Sequence, residues 1–132
     1  MQINTDCQSR AALLCDFGSQ LFATLGVASM TLTQFAMIIK GPGYDPVTSR
    51  ATINSPFFST TVVCVSSFEE AIFVANGLIK EGVQLIELCG GFTPDQADSL
   101  QASLGKHVPV GVVRYSSKEQ QHLASLFGAP CA

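Results

Sequence analysis

The 132-residue chain carries a formal net charge of −3, with 13% charged and 47% apolar side chains. That length fits one domain around one core. The seven basic residues are scattered, which argues against nucleic acid or an anionic membrane surface as partner, and no apolar run approaches the roughly 20 residues of a membrane span.

Mean hydropathy is +0.34. A domain so poor in charge has little polar material for its outside, so part of its apolar surface is expected to be covered in a homo-oligomer. The five cysteines (Cys7, Cys15, Cys64, Cys89 and Cys131) are odd in number and far apart, without a C-x-x-C pair. Thiols in a reducing cytoplasm fit this pattern better than a disulfide framework. Only His107 and His122 could assist a metal site, and the close-spaced ligand pairs of zinc sites are missing, so neither a metal nor a cofactor is expected.

Residues 1–29 differ in character from the rest. Leu14, Phe17, Leu21 and Leu25 are spaced for one face of an amphipathic helix. As a secretory signal the segment is poor, because Arg10 is its only basic residue and Asp16 interrupts the apolar stretch. It reads as an extension, either a loosely attached helix or sequence upstream of a natural start at Met30. A single domain is expected over residues 30–128, followed by a short tail at 129–132.

From Met30 onward the elements are regular. Gln34 to Lys40 is a mostly apolar run that suits a buried strand, and Gly41-Pro42-Gly43-Tyr44-Asp45-Pro46 is turn chemistry. Val47 to Ile53 reads equally as a short helix or an edge strand, broken by Asn54-Ser55-Pro56. Tyr44, Arg50, Phe57 and Phe58 fall in this long segment, which is either a binding loop or a core and oligomer contact. Thr60 to Ser66 is a second strand, β-branched through its centre. Ser67-x-x-Glu70 then opens a helix whose apolar positions Phe68, Ala71, Ile72, Ala75, Leu78 and Ile79 keep the helical period. Gly82 stands where a C-terminal glycine cap belongs.

The next stretch organises the chain. Gly82-Val83-Gln84-Leu85-Ile86-Glu87-Leu88-Cys89 is a short apolar run with one acid, and Gly90-Gly91 end it. Thr93 as N-cap, Pro94 as first helical residue and Gln96 as reciprocal cap start a helix at once. Its inward positions are Ala97, Leu100 and Leu104, and Gly105 closes it. Val108 to Tyr115 is read as the fourth strand. Ser116-x-x-Glu119 opens the last helix, expected to bury Leu123, Leu126 and Phe127 before Gly128.

Strand–helix alternation with short connections means β-α-β units, hence a three-layer α/β sandwich around a small, mainly parallel sheet of about four strands. Parallel strands share a C-terminal edge, where open α/β proteins place ligands. Ser66, Glu87, Cys89, Gly90, Arg114 and Tyr115 fall there, joined by Lys40 and Gly41 if the first strand runs the same way. Three of the chain's few charges thus gather at one edge.

The core from Met30 to about Gly128 resembles a family of small bacterial α/β proteins classed as a domain of unknown function. The resemblance rests on Gly41-x-Gly43-x-Asp45-Pro46, on Glu81 to Phe92 (E-G-V-Q-L-I-E-L-C-G-G-F) and on Val108 to Tyr115. It implies a compact cytoplasmic α/β domain and brings no catalytic assignment with it.

Each candidate has a plainer reading beside the functional one. Glu87, near Lys40 or Arg114, is a general base or ligand anchor, or else part of a structural ion pair. Cys89 is a nucleophile only if a positive environment forms its thiolate; otherwise it packs a tight turn. Gly90-Gly91 before a helix N-terminus could cradle phosphate, but Thr93 and Gln96 compete for the end amides. Three functions follow. A small polar or anionic molecule binds at the strand edge through Lys40, Glu87, Gly90, Gly91 and Arg114. Alternatively, the protein is an enzyme with Glu87 as base and Cys89 as the weaker nucleophile candidate. The third is a non-catalytic homo-oligomeric assembly module.

Overall fold

The computed structural model describes residues 31–128; the expectations for residues 1–29 and for the 129–132 tail lie outside them. From Leu32 onward these residues form one compact unit. In chain order they make β1 (Gln34–Lys40), β2 (Arg50–Asn54), β3 (Ser59–Val65), α1 (Phe68–Lys80), β4 (Leu85–Leu88), α2 (Pro94–Leu104), β5 (Val110–Val112) and α3 (Ser117–Phe127). The fold is an α/β sandwich built on a five-stranded sheet of order β2-β3-β1-β4-β5. Strands β1, β3, β4 and β5 run parallel, and β2 is antiparallel to β3 at the edge. The first strand therefore shares its direction with β3, β4 and β5.

The strand beyond the expected four is β2, and local chemistry explains why its segment was ambiguous. Asp45 gathers a turn, accepting from Val47 N at 3.0 Å through Oδ1 and from Ser49 N at 2.7 Å through its carbonyl. That turn gives way to an exposed strand with no apolar alternation to announce it. Ser55 closes the β2–β3 hairpin, its hydroxyl accepting from the amides of Phe57 and Phe58 at 3.3 and 3.0 Å.

Because side chains alternate along a strand, the register assigns each residue to a face. Ala36 and Ile38 of β1 lie beside Thr61 and Val63 of β3 and beside Ile86 and Leu88 of β4. On this face α1 contributes Ala71, Val74, Ala75 and Leu78, and α2 contributes Ala97, Leu100 and Leu104, to one buried cluster. The other face carries Phe35, Met37, Ile39, Val62, Cys64, Leu85 and Glu87, all partly exposed.

The helix ends follow the sequence closely. Ser67 Oγ accepts from Glu70 N at 3.1 Å, while the Glu70 carboxylate takes Ser66 N at 2.7 Å. Gly82, at φ +95°, ends α1 in a conformation that side-chain-bearing residues rarely adopt. At α2 the Thr93–Gln96 capping box is complete and Pro94 occupies the first turn.

Two expectations are corrected. Leu123, Leu126 and Phe127 of α3 are not buried: they are 36%, 61% and 80% exposed, and no residue of the helix is buried. Helical spacing reports which residues share a face, not whether another element covers it. The expected strand over Val108 to Tyr115 is also shorter, at Val110–Val112. Before it, the Gln101 side chain serves the backbone, donating to Val108 O at 3.2 Å and accepting from Val110 N at 2.8 Å. After it, β4 has ended, and Val113 N donating to Leu88 O at 2.9 Å is the last bond to that strand.

Candidate functional site

At the C-terminal edge of the parallel strands the chain turns tightly between β4 and α2. Beyond Leu88 the backbone folds back on the end of β1, and Cys89 holds the two together. Its Sγ accepts from Lys40 N at 3.2 Å and from Gly91 N at 3.4 Å. Gly91 is required by closeness: a Cβ there would stand 3.1 Å from the Lys40 carbonyl oxygen and 3.3 Å from Cys89 Sγ. The thiol and the second glycine thus shape the turn. A different contact explains Gly90, whose absent side chain leaves room for the Tyr115 ring, 2.9 Å from where a Cβ would be.

The expected charges do not form one cluster. Register sets Lys40 beside Val65 on the helix-covered face, whereas Glu87 lies between Met37 and Gly111 on the other. The Glu87 side chain runs over Gly111, where an added Cβ would meet its Cγ at 3.4 Å. Among the described residues no ion pair joins Glu87 to Lys40 or Arg114.

The two cations meet instead at Phe92. Lys40 Nζ stands 5.0 Å from the Phe92 ring centroid and donates to Gln96 Oε1 at 2.9 Å. Gln96 Oε1 also accepts from Thr93 N at 3.2 Å, so the α2 cap and the lysine share one acceptor. From the β5 side, Arg114 Nη1 donates to Phe92 O at 3.0 Å and to Val113 O at 3.4 Å. Phe92 itself is buried, which gives Arg114 a fixed anchor.

Beside this guanidinium lies an open cleft of about 580 Å³ between the β4–α2 turn, the end of β5 and α3. Gly90, Pro94, Val113 and Arg114 line one side, and α3 supplies Ser117, Gln120, Gln121, Leu123 and Ala124 on the other. Gln120 Nε2 donates to Tyr115 O at 3.0 Å and ties the helix to the strand end. Of the expected residues, Gly90 and Arg114 line the cleft. Lys40, Glu87, Cys89 and Gly91 are not among its described lining residues.

The α3 contribution was missed because the helix was read as a core helix. Its signal was the adjacent Gln120-Gln121 pair, two neutral hydrogen-bonding side chains in the turns that follow Tyr115. No group of three or more His, Cys, Asp or Glu side chains among the described residues could hold a metal ion, and no described helix is long and apolar enough to cross a membrane. In comparisons with known proteins, residues 33–128 match a family described as a family of unknown function (DUF6506). Neither the curated proteins nor the solved structures gave a match.

Proposed function

Because the chain belongs to DUF6506, a family of unknown function, its role has to be read from its own geometry, and we propose that it binds a small polar or anionic molecule in the cleft at the C-terminal ends of β4 and β5. One observation carries this reading: Arg114, its guanidinium fixed by the Phe92 carbonyl, lines a cleft of ligand size. No acid is among the described lining residues to neutralise it. Gly90 supplies a wall without a side chain, and Lys40 adds positive potential from the far side of Phe92.

Binding is favoured over a reaction because the candidates for chemistry, Glu87 and Cys89, do not line the cleft. A thermal-shift screen of polar and anionic metabolites against the full chain tests the reading, with Arg114→Met as control. A stabilising compound whose effect disappears in Arg114→Met is the expected result. Stabilisation that survives the substitution, or none from any compound, overturns it.

A second reading, assembly with another copy of the chain, is favoured by the sheet face that α1 and α2 leave uncovered. Its apolar residues are partly exposed, and Glu87 is the one charged side chain that the strand register places on it. The two readings use different surfaces and are compatible.

A further inference from the structure

We infer that the ligand of this cleft is a monocarboxylic acid with an apolar body; the inference rests on the cleft being a binding site and goes on to name the chemical class. The charge count comes first. Arg114 is the only charged side chain among the described lining residues, and Lys40 is engaged by Gln96 and the Phe92 ring. One cation matches one anionic charge and leaves a polyanion largely uncompensated.

Geometry then selects the anion. Nη1 of Arg114 is taken by two carbonyl oxygens, whereas Nε and Nη2 have no hydrogen-bond partner among the described residues. The Nε–Nη2 edge of a guanidinium presents two parallel donors in one plane, the arrangement that pairs with both oxygens of a carboxylate.

Phosphate recognition lacks its usual support. A phosphate at a helix start is held by free backbone amides. Here the first residue of α2 in the cleft is Pro94, which has no N–H, and Gln96 N is donated to Thr93 Oγ1 at 3.2 Å; at α3, whose first residue Ser117 also lines the cleft, Glu119 N is donated to Ser116 Oγ at 3.3 Å. Of the polar side chains Ser117, Gln120 and Gln121 that α3 brings to the cleft, Gln120 is turned to Tyr115 O at 3.0 Å, and the other walls are apolar: Pro94, Val113, Leu123 and Ala124, with the Tyr115 ring over Gly90. The apolar walls gain from covering hydrocarbon, and the neutral α3 side chains add no second charge.

Amide-resolved NMR titration of the full chain with octanoate, benzoate, 1-octanol, malonate and inorganic phosphate tests this. Octanoate or benzoate should shift Gly90, Arg114, Tyr115 and Leu123. The alcohol should bind at least about tenfold more weakly, reflecting the lost charge-assisted hydrogen bonds. Arg114→Met should remove the carboxylate preference, and Arg114→Lys should restore it only in part, since the planar fork is lost. Tighter binding of phosphate or malonate at these same residues overturns the inference and leaves the cleft a binding site. Equal binding of octanol and octanoate overturns it as well. If no probe shifts these residues, the inference and the reading beneath it both fall.

Discussion

Gly91 and Glu87 show how differently two residues of one motif are constrained. Gly91 sits where the backbone of β1 and the Cys89 sulfur leave no room for a methyl group, and the nearest neighbour is a main-chain oxygen that cannot rotate aside. Gly91→Ala should therefore destabilise the fold by about 1–3 kcal/mol, as overpacking does, measured from the shift of the denaturant midpoint. Glu87 has the opposite position. It lies partly exposed over Gly111 with no ion pair among the described residues, so Glu87→Gln should change stability by no more than about 0.5 kcal/mol. Its effect should also add to that of Arg114→Met, because groups without shared partners do not couple. Coupling above that level in the double-mutant cycle would restore a structural ion pair between them. Sequence could not separate the two, since distance along a strand does not show which face a neighbouring strand turns to it.

At the level of elements, α1 and α2 were legible in both bounds and burial, and α3 in its bounds alone. In α1 and α2 the apolar positions meet a sheet face that is itself apolar, so periodicity and burial coincide at Ala71, Ala75, Leu78, Ala97, Leu100 and Leu104. In α3 the same kind of pattern stands at the end of the sheet, and Leu126 and Phe127 face outward. The edge strand β2 could not be told from a short helix for the converse reason: five exposed residues carry no hydrophobic period. The candidate site was legible as an edge, through Gly90 and Arg114, but the wall that α3 adds was not. Leu126→Ala should accordingly change stability by less than about 0.5 kcal/mol, while Leu100→Ala in the core should cost about 2–5 kcal/mol. Native-state hydrogen exchange should show α3 opening far more readily than α1. Equal protection of the two helices would mean that α3 is covered by something beyond the described residues.

For the molecule as a whole, the sheet has one face filled by helices and one that is apolar and half open. On the open side Met37 and Val62 sit beside each other in register, flanked by Phe35, Ile39 and Leu85. Phe35 stacks on Phe58 with ring centroids 6.5 Å apart, which carries the apolar surface past the strand ends toward the hairpin. Strands of three to seven residues, about 4.8 Å apart, give a platform of roughly 400 Å² in projection. The exposed Ile53 and Phe58 beside it extend it toward the roughly 800 Å² per partner of a standard interface. Among the described residues this face carries a single acid and no base, which offers no charge pattern to select an unlike partner, whereas it is complementary to itself by apolar packing. The partner proposed for it is therefore a second copy. Sedimentation equilibrium of the full chain should give a dimer mass that falls toward the monomer on dilution. Val62→Lys, which puts a second kind of charge at the centre of the platform, should shift that equilibrium to monomer while far-ultraviolet circular dichroism stays unchanged. The cleft beside Arg114 lies at the strand ends, away from this platform, so the monomeric variant should keep its ligand response. A monomer mass at every concentration would remove the assembly reading and leave the cleft as the one functional surface proposed.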